Sequence, residues 1–316
     1  MQEIIRKPKS TPMKKSLILL FSFFFCFQSF SQQIDLSYKL DKGSDYKLSN
    51  TTVISIFQEV NGQLMKIDMK LGSVVNFLVK DILDEGYLME INYETLEMEN
   101  TIRDQTMKFS SDSDNENDLM SKVLSEMTKK SISCQMTKDG KMNCSSGIDD
   151  IIQNILDSIT GISPDERSQL KQKIGTAFGT EAFRKSIESA LYIYPDVPVR
   201  LNERWWLEST IGAEMIAANM ECDYMLLEET DDFYKIVGNS WVRTNKDTTF
   251  SYFGMEATGD LEAEFSTDIK VNKENGWIMK SETKYIFEGK IMIKPNPKLP
   301  EGLEIPYRMN ATVVIY

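Results

Sequence analysis

The chain has 316 residues, 36 Lys+Arg against 48 Asp+Glu, a formal charge of −12 and no histidine. Without imidazole, Ser-His-Asp and Cys-His catalysis and His-ligated zinc, copper or non-haem iron sites are excluded. An enzyme here would have to work with carboxylates, Tyr, Lys or Ser-Lys.

Residues 1–31 read as a Sec signal peptide. Met13-Lys14-Lys15 is a basic region, followed by an apolar run at 17–27 (LILLFSFFFCF). That run is too short to cross the ~30 Å of bilayer hydrocarbon. Ser29 and Ser31 supply the small residues before the cut, and the polar stretch ahead of Met13 points to Met13 as the true start. Phe24-Phe25 stand before Cys26 where a lipoprotein signal carries small residues, so an acyl anchor is not expected. Removing residues 1–31 takes away five basic groups and one acid, leaving 31 against 47, a net charge of −16. Such a chain repels nucleic acid and anionic headgroups. No other apolar stretch is long enough to span a membrane. The expectation is an exported protein, periplasmic or associated with the outer envelope of a bacterium.

Residues 32–147 read as an N-terminal β meander. Ile34, Leu36, Tyr38 and Leu40 alternate with polar residues, giving one apolar face. Further strands follow at 46–57, 64–79 and 87–98, with turns at Asn61-Gly62 and at Asp84-Glu85-Gly86. Residues 110–118 (SSDSDNEND) are an acidic loop. Residues 131–144 read as a hairpin around Lys138-Asp139-Gly140. A type I turn with Gly140 in the left-handed position pairs Thr137 with Lys141, and so sets Cys134 opposite Cys144. A two-residue loop would put the two cysteines on opposite faces.

Residues 148–194 read as helical. Ile148, Ile151, Ile152, Ile155, Leu156 and Ile159 fall at helical spacing. Ser163-Pro164-Asp165-Glu166 is a capping box with proline in the first turn, opening a second helix that Gly179 ends. Thr180 caps a third helix with Phe183, Ile187, Ala190, Leu191 and Tyr194 on one stripe, stopped by Pro195 and Pro198. Residues 195–316 return to β pattern, with strands at 205–211, 221–228, 233–243, 248–255, 259–271, 276–294 (bent or split) and 305–316. Residues 32–316 thus form one domain or two lobes. The class is α+β: a strongly curved antiparallel sheet or half-open barrel from two meanders, with the helices packed on its concave face.

Several of these segments resemble an exported bacterial family of unknown function, the DUF6263-like group. They are the opening Lys39-Leu40-Asp41-Lys42-Gly43-Ser44-Asp45-Tyr46-Lys47, the hairpin at 136–147 (MTKDGKMNCSSG), the Pro195, Pro198, Trp205 entry to the second half, and 259–281 (GDLEAEFSTDIKVNKENGWIMKS). A looser likeness is to the LolA and LppX type of periplasmic lipoprotein carrier. It implies a half-open barrel whose concave face is covered by helices, although the anchor cysteine of the LppX type is absent.

Cys134 and Cys144 suit a disulfide in an oxidising compartment; the alternative is two reduced residues in a hairpin. Cys222 is then left over as a buried thiol. Asp112, Asp114, Glu116 and Asp118 offer oxygen ligands for Ca²⁺, but Asn117 and Val123 occupy the Gly and Glu positions of an EF-hand loop, which favours a solvated loop. Trp205 and Trp206 point to opposite faces, one into the core and one outward. Eighteen methionines suit either an adaptable apolar cavity or an ordinary core with gaps. An imperfectly packed helix–sheet interface would leave a pocket lined by Ile151, Ile155, Ile159, Phe183, Ile187, Leu191, Trp205 and Trp206. The expected function is a non-enzymatic envelope protein carrying a lipophilic small molecule, without a cofactor. The alternatives are an interaction module that binds an envelope protein, and a carboxylate-based hydrolase.

Overall fold

The computed structural model describes residues 33–60, 62–115, 118–144, 147–211, 218–244, 246, 249–252 and 254–316. The signal-peptide segment 1–31 and Glu116 lie outside the described residues. The elements below belong to one compact unit, Ile34–Tyr316.

Three long strands and a short one open it: β1 (Asp45–Val60), β2 (Gln63–Leu83), β3 (Gly86–Ile102) and the short β4 (Gln105–Ser110). Helix α1 (Leu119–Thr128) precedes the hairpin β5 (Ser131–Thr137) and β6 (Met142–Cys144). Then come α2 (Ile148–Ser158), α3 (Pro164–Phe178) and α4 (Thr180–Leu191). The second meander is β7 (Arg204–Ile211), β8 (Ala218–Glu229), β9 (Phe233–Arg243), β10 (Thr249–Tyr252), β11 (Met255–Asn272), β12 (Ile278–Ile293) and β13 (Leu303–Ile315).

All strands form one antiparallel sheet in the order β6-β5-β3-β2-β1-β13-β12-β11-β9-β8-β7, with β4 on β3 and β10 on β11. The two meanders join where the first strand meets the last, from Asn50↔Ile315 to Gln58↔Tyr307. β6 and β7 end the order unpaired with each other, so the sheet stays open. Register shifts in β2–β3, β8–β9 and β11–β12 add local bend and twist. In β11 the period-2 pattern is strict: Ala257, Leu261, Ala263, Phe265, Ile269 and Val271 are buried, while Glu256, Glu262, Glu264 and Asp268 face solvent.

The helices cover the inner face of the first meander. Phe183 of α4 meets Tyr93 of β3 edge to face, with ring centroids 5.7 Å apart. Ile148, Ile152, Ile155 and Leu156 of α2 and Val123, Leu124 and Met127 of α1 join the same core. On α3, Ile174 is buried, and of the other residues whose side chains are described none is buried. Its capping box forms as the sequence dictates: Ser163 Oγ accepts from Glu166 N, and Glu166 Oε2 accepts from Ser163 N. The β5–β6 hairpin fixes the end of α4. Gly140 takes φ +102 with its α-carbon packed on the chain of Leu191; a Cβ there would lie 2.0 Å from the Leu191 carbonyl oxygen. Met142 N donates to Glu188 Oε1 at 2.9 Å. The turn sets Cys134 opposite Cys144, and a disulfide joins them.

Several sequence expectations are corrected here. Residues 34–40 alternate in burial as expected, but they are not a strand. Only Ile34 forms a bridge, with Val199, and the remaining bonds go to loops and a side chain: Tyr38 N to Lys138 O, Lys39 N to Asn275 O, Leu40 N to the Tyr87 hydroxyl. The segment is a strap across one end of the sheet. Thr180 does not cap α4; Gly179 holds that position, and Thr180 Oγ1 donates to Asp149 Oδ2. α4 stops at Leu191 rather than Tyr194, where the Tyr38 hydroxyl takes the freed Leu191 carbonyl at 2.9 Å. The 276–294 strand is neither bent in two nor split. It runs through Gly289, whose φ of +149 lets it lie against β11 where a Cβ would be 2.1 Å from Asp260 O. Two elements had no sequence counterpart. β4 follows a turn in which Arg103 and Asp104 both take positive φ, a mirror-image turn usually written with Asn and Gly. α1 starts at Asp118, whose carboxylate accepts from Met120 N and Ser121 N.

The strap meets an aromatic cluster. Tyr38 packs on Tyr194 at 4.9 Å and on Trp277 at 5.8 Å, and Trp277 reaches Tyr46 and Phe77. Tyr194 donates to Gly276 O, and Trp277 Nε1 donates to Lys47 O. Tyr38→Ala should cost about 3–5 kcal/mol in chemical denaturation, since Tyr38 is fully buried; a loss below 1 kcal/mol would show that the strap is not part of the cooperative unit. Reducing the Cys134–Cys144 bridge should cost about 2–3 kcal/mol through the loop it closes, read as a lower melting temperature in reductant.

Candidate ligand site on the inner face

α4 has two unequal sides. Phe183, Ile187 and Leu191 are buried in the helix–sheet core. Ala190 at the edge of that stripe and the more exposed Ser186 and Ser189 beside it line a gap toward the second meander. Opposite them stand Tyr224, Phe265, Thr267, Ile269, Ser281, Thr283 and Tyr285. Small side chains cannot fill the space between helix and sheet, and a cavity of about 90 Å³ remains. Asn50 and Thr52 of β1 and Val313 and Ile315 of β13 complete its wall.

The floor is polar but uncharged. The Thr267 and Thr283 hydroxyls are 2.8 Å apart, and Ser281 Oγ lies 3.5 Å from Thr283 Oγ1. All three residues are at least nine-tenths buried. No Asp, Glu, Lys or Arg lines the space.

From Thr52 and Val313 the inner face continues as an apolar trough. Alternation and register place Ile54 and Ile56 beside Met69 and Ile67 on one side, and beside Ala311 and Met309 on the other. Ile54, Ile56, Ile67, Met69, Leu71 and Met309 are half-buried. The trough ends where Gln58 accepts a hydrogen bond from the Tyr252 hydroxyl, with Tyr307 buried beside Gln58 in the register. Six residues separate Thr52 from Gln58, about 20 Å at the usual strand rise.

The sequence-predicted pocket residues lie elsewhere. Ile155, Ile159, Phe183, Ile187, Leu191 and Trp205 are buried core, and Ile151 packs against it half-buried. Trp205 donates to Ile193 O and stacks on Tyr224, so it sits behind the cavity rather than in it. Trp206 is 58% exposed on the outer face. The expected helix–sheet gap is there, but lined by the small, polar side of α4 and the hydroxyl-bearing strands. Small and polar residues flanking the apolar stripe, Ser186 and Ser189 with Ala190 at its edge, are the available signal.

Other candidate chemistry is accounted for. Asp118 caps α1, and Asp112 is exposed; no metal-binding cluster occurs among the described residues. Cys222 is buried, and burial pushes its thiol up to about 12 despite a hydrogen bond with Tyr224. The carboxylates that depart from their ordinary pKa among the described residues all move down. Lys66 holds Asp68, Lys42 holds Asp81, Lys246 holds Asp260, Arg184 holds Glu181, and the Ser163 amide holds Glu166. None of these resembles a general acid, whose pKa must be raised. A wider outer-face depression of about 500 Å³ is lined by charges of both signs; its Asp268 pairs with Lys235 and its Glu282 with Lys284, while Lys270 and Lys280 lie over the Phe233 and Tyr316 rings.

A family of unknown function (DUF6263) matches residues 84–278, and the chain belongs to that family. No curated protein matches it. Among solved structures, one titled for lipid–protein interactions in lipovitellin is similar at a TM-score of 0.48 and 6% identity, over 88% of this chain and 25% of that one. An outer membrane channel from Pseudomonas putida F1 follows at 0.20 and 8%, over 88% of this chain and 97% of that one. The chain thus spans a quarter of the lipovitellin structure, and likenesses this weak carry no argument. No described helix is long and apolar enough to cross a membrane.

Burial raises Tyr224, Tyr285 and Tyr93 above the usual phenol range, and brings Tyr252 to about 12. The native state keeps these protons where the unfolded chain releases them. Their contribution is therefore complete below pH ~10 and lost as pH rises through the folded values. Stability should fall steeply above pH ~10, with a step in tyrosinate absorbance at the unfolding transition. Ionisation of Tyr93, Tyr224, Tyr252 and Tyr285 with the fold intact would contradict their burial.

Proposed function

We propose that this member of the DUF6263 family is an exported, non-enzymatic protein of the cell envelope that holds a lipophilic molecule against the inner face of its sheet, beside α4. One observation carries the reading: the gap beside α4 leaves a cavity that continues into a trough of Ile, Leu and Met that the described residues only half bury. An apolar trough left part open to water favours a site that a ligand occupies or shields. A length of about 20 Å accommodates one acyl chain, since a bilayer leaflet is half of ~30 Å. The cavity alone, about 90 Å³, is far below the ~300 Å³ of a typical small-molecule site. The body of the ligand would therefore lie in the trough.

Export is supported by the signal-like segment 1–31 and by a disulfide of the kind that persists in oxidising compartments. The non-enzymatic reading rests on the lack of histidine and on carboxylates held ionised by their partners. A second reading, a surface for an envelope partner, draws on Trp206 and Trp241, exposed at 58% and 59% on the outer face.

Native mass spectrometry of residues 32–316, purified gently from their own envelope, should show one lipid-sized adduct that solvent extraction removes. Ala190→Leu, which fills the cavity from α4, should lose the adduct by at least tenfold while keeping a cooperative melt. A clean apo mass would reject the tight-carrier form and shift the weight to the partner surface.

A further inference from the structure

We infer that the cavity under α4 is a headgroup site for an uncharged, hydrogen-bonding amphiphile, a molecule ending in a hydroxyl, ester or ketone rather than a carboxylate, phosphate or amine. The inference rests on the binding reading above and specifies the chemistry of the ligand.

Charge decides the class. The lining offers Asn50, Thr52, Thr267, Ser281 and Thr283, with two tyrosines, and no ionised side chain. An anionic head placed there would be desolvated without a cation, and a cationic head without a carboxylate; either costs several kcal/mol. The −16 charge of residues 32–316 adds a long-range penalty for anions.

Hydrogen-bond counting decides the polarity. Ser281, Thr283 and Thr267 form a chain of three hydroxyls. Two of their three protons are used inside the chain. One proton and several lone pairs remain for a partner, so the floor can donate to a carbonyl or exchange bonds with a hydroxyl. An entirely apolar ligand would leave that remaining proton without a partner. The volume of about 90 Å³ holds a few waters or one small polar end. The trough beyond Thr52 takes the tail, so the ligand enters tail outward with its head beneath Ser186 and Ser189.

The test uses residues 32–316 loaded with N-phenyl-1-naphthylamine, a neutral apolar reporter, displaced by monoolein or by oleate at the same chain length. Monoolein should displace it at least tenfold more tightly than oleate. Thr283→Val should weaken monoolein about 5–10-fold, one hydrogen bond's worth, relative to its effect on the reporter. A cooperative melt like the parent's shows that the variant is folded. Oleate binding as tightly as monoolein, or a Thr283→Val variant equal to the parent, overturns the headgroup site and leaves the binding reading standing. A parent that binds neither the reporter nor either lipid overturns both.

Discussion

The inner surface exists because the first strand pairs with the last. Nine residue pairs between β1 and β13 turn two local meanders into one sheet. They set Thr52 beside Val313 and Ile54 beside Ala311, and so make the cavity wall and the trough continuous. The contact spans more than 250 positions of sequence, and its loop-closure entropy is repaid only when both meanders are formed. The meanders need one another for this face, although each is locally connected.

An open sheet of this length has exposed edges, and the molecule manages them at one end. The strap at 34–40 bonds to the 138 turn, the 275 turn and Val199, so it links loops from both meanders. Tyr38, Tyr194 and Trp277 give that junction its buried area and spend their polar atoms on the main chain. The edge strand β6 has three residues and is pinned by the disulfide, which leaves little ladder for a foreign strand to extend.

Polarity is sorted by face. On the outside, alternate residues of β11 and β12 carry paired charges, each pair exposed and worth little by itself. Inside, ionised groups give way to hydroxyls and then to aliphatic side chains. The helices complete only half of the cover. α1 and α2 fill the first meander, and α4 turns its serines toward the second. The candidate site is what this asymmetry leaves over.

Much of this was legible in the sequence, because local rules wrote it. Alternation gave most of the long strands, the capping box gave α3, and Gly140 fixed the hairpin register that sets Cys134 opposite Cys144. Composition alone removed histidine chemistry. What was not legible came from contacts between distant segments. Residues 34–40 have strand periodicity, yet their main chain bonds to the 138 and 275 turns and to the Tyr87 hydroxyl rather than to a strand. β4 was hidden because Arg103 and Asp104 adopt a turn their side chains do not advertise. The sequence points to a pocket at Phe183, Ile187 and Leu191, because an apolar stripe marks what a helix buries. Such residues fill space, whereas a cavity forms where small residues meet a distant surface. That Ser186 and Ser189 face Thr267 and Thr283, about a hundred residues away, was decided by the sheet order, and only the tertiary structure fixes that.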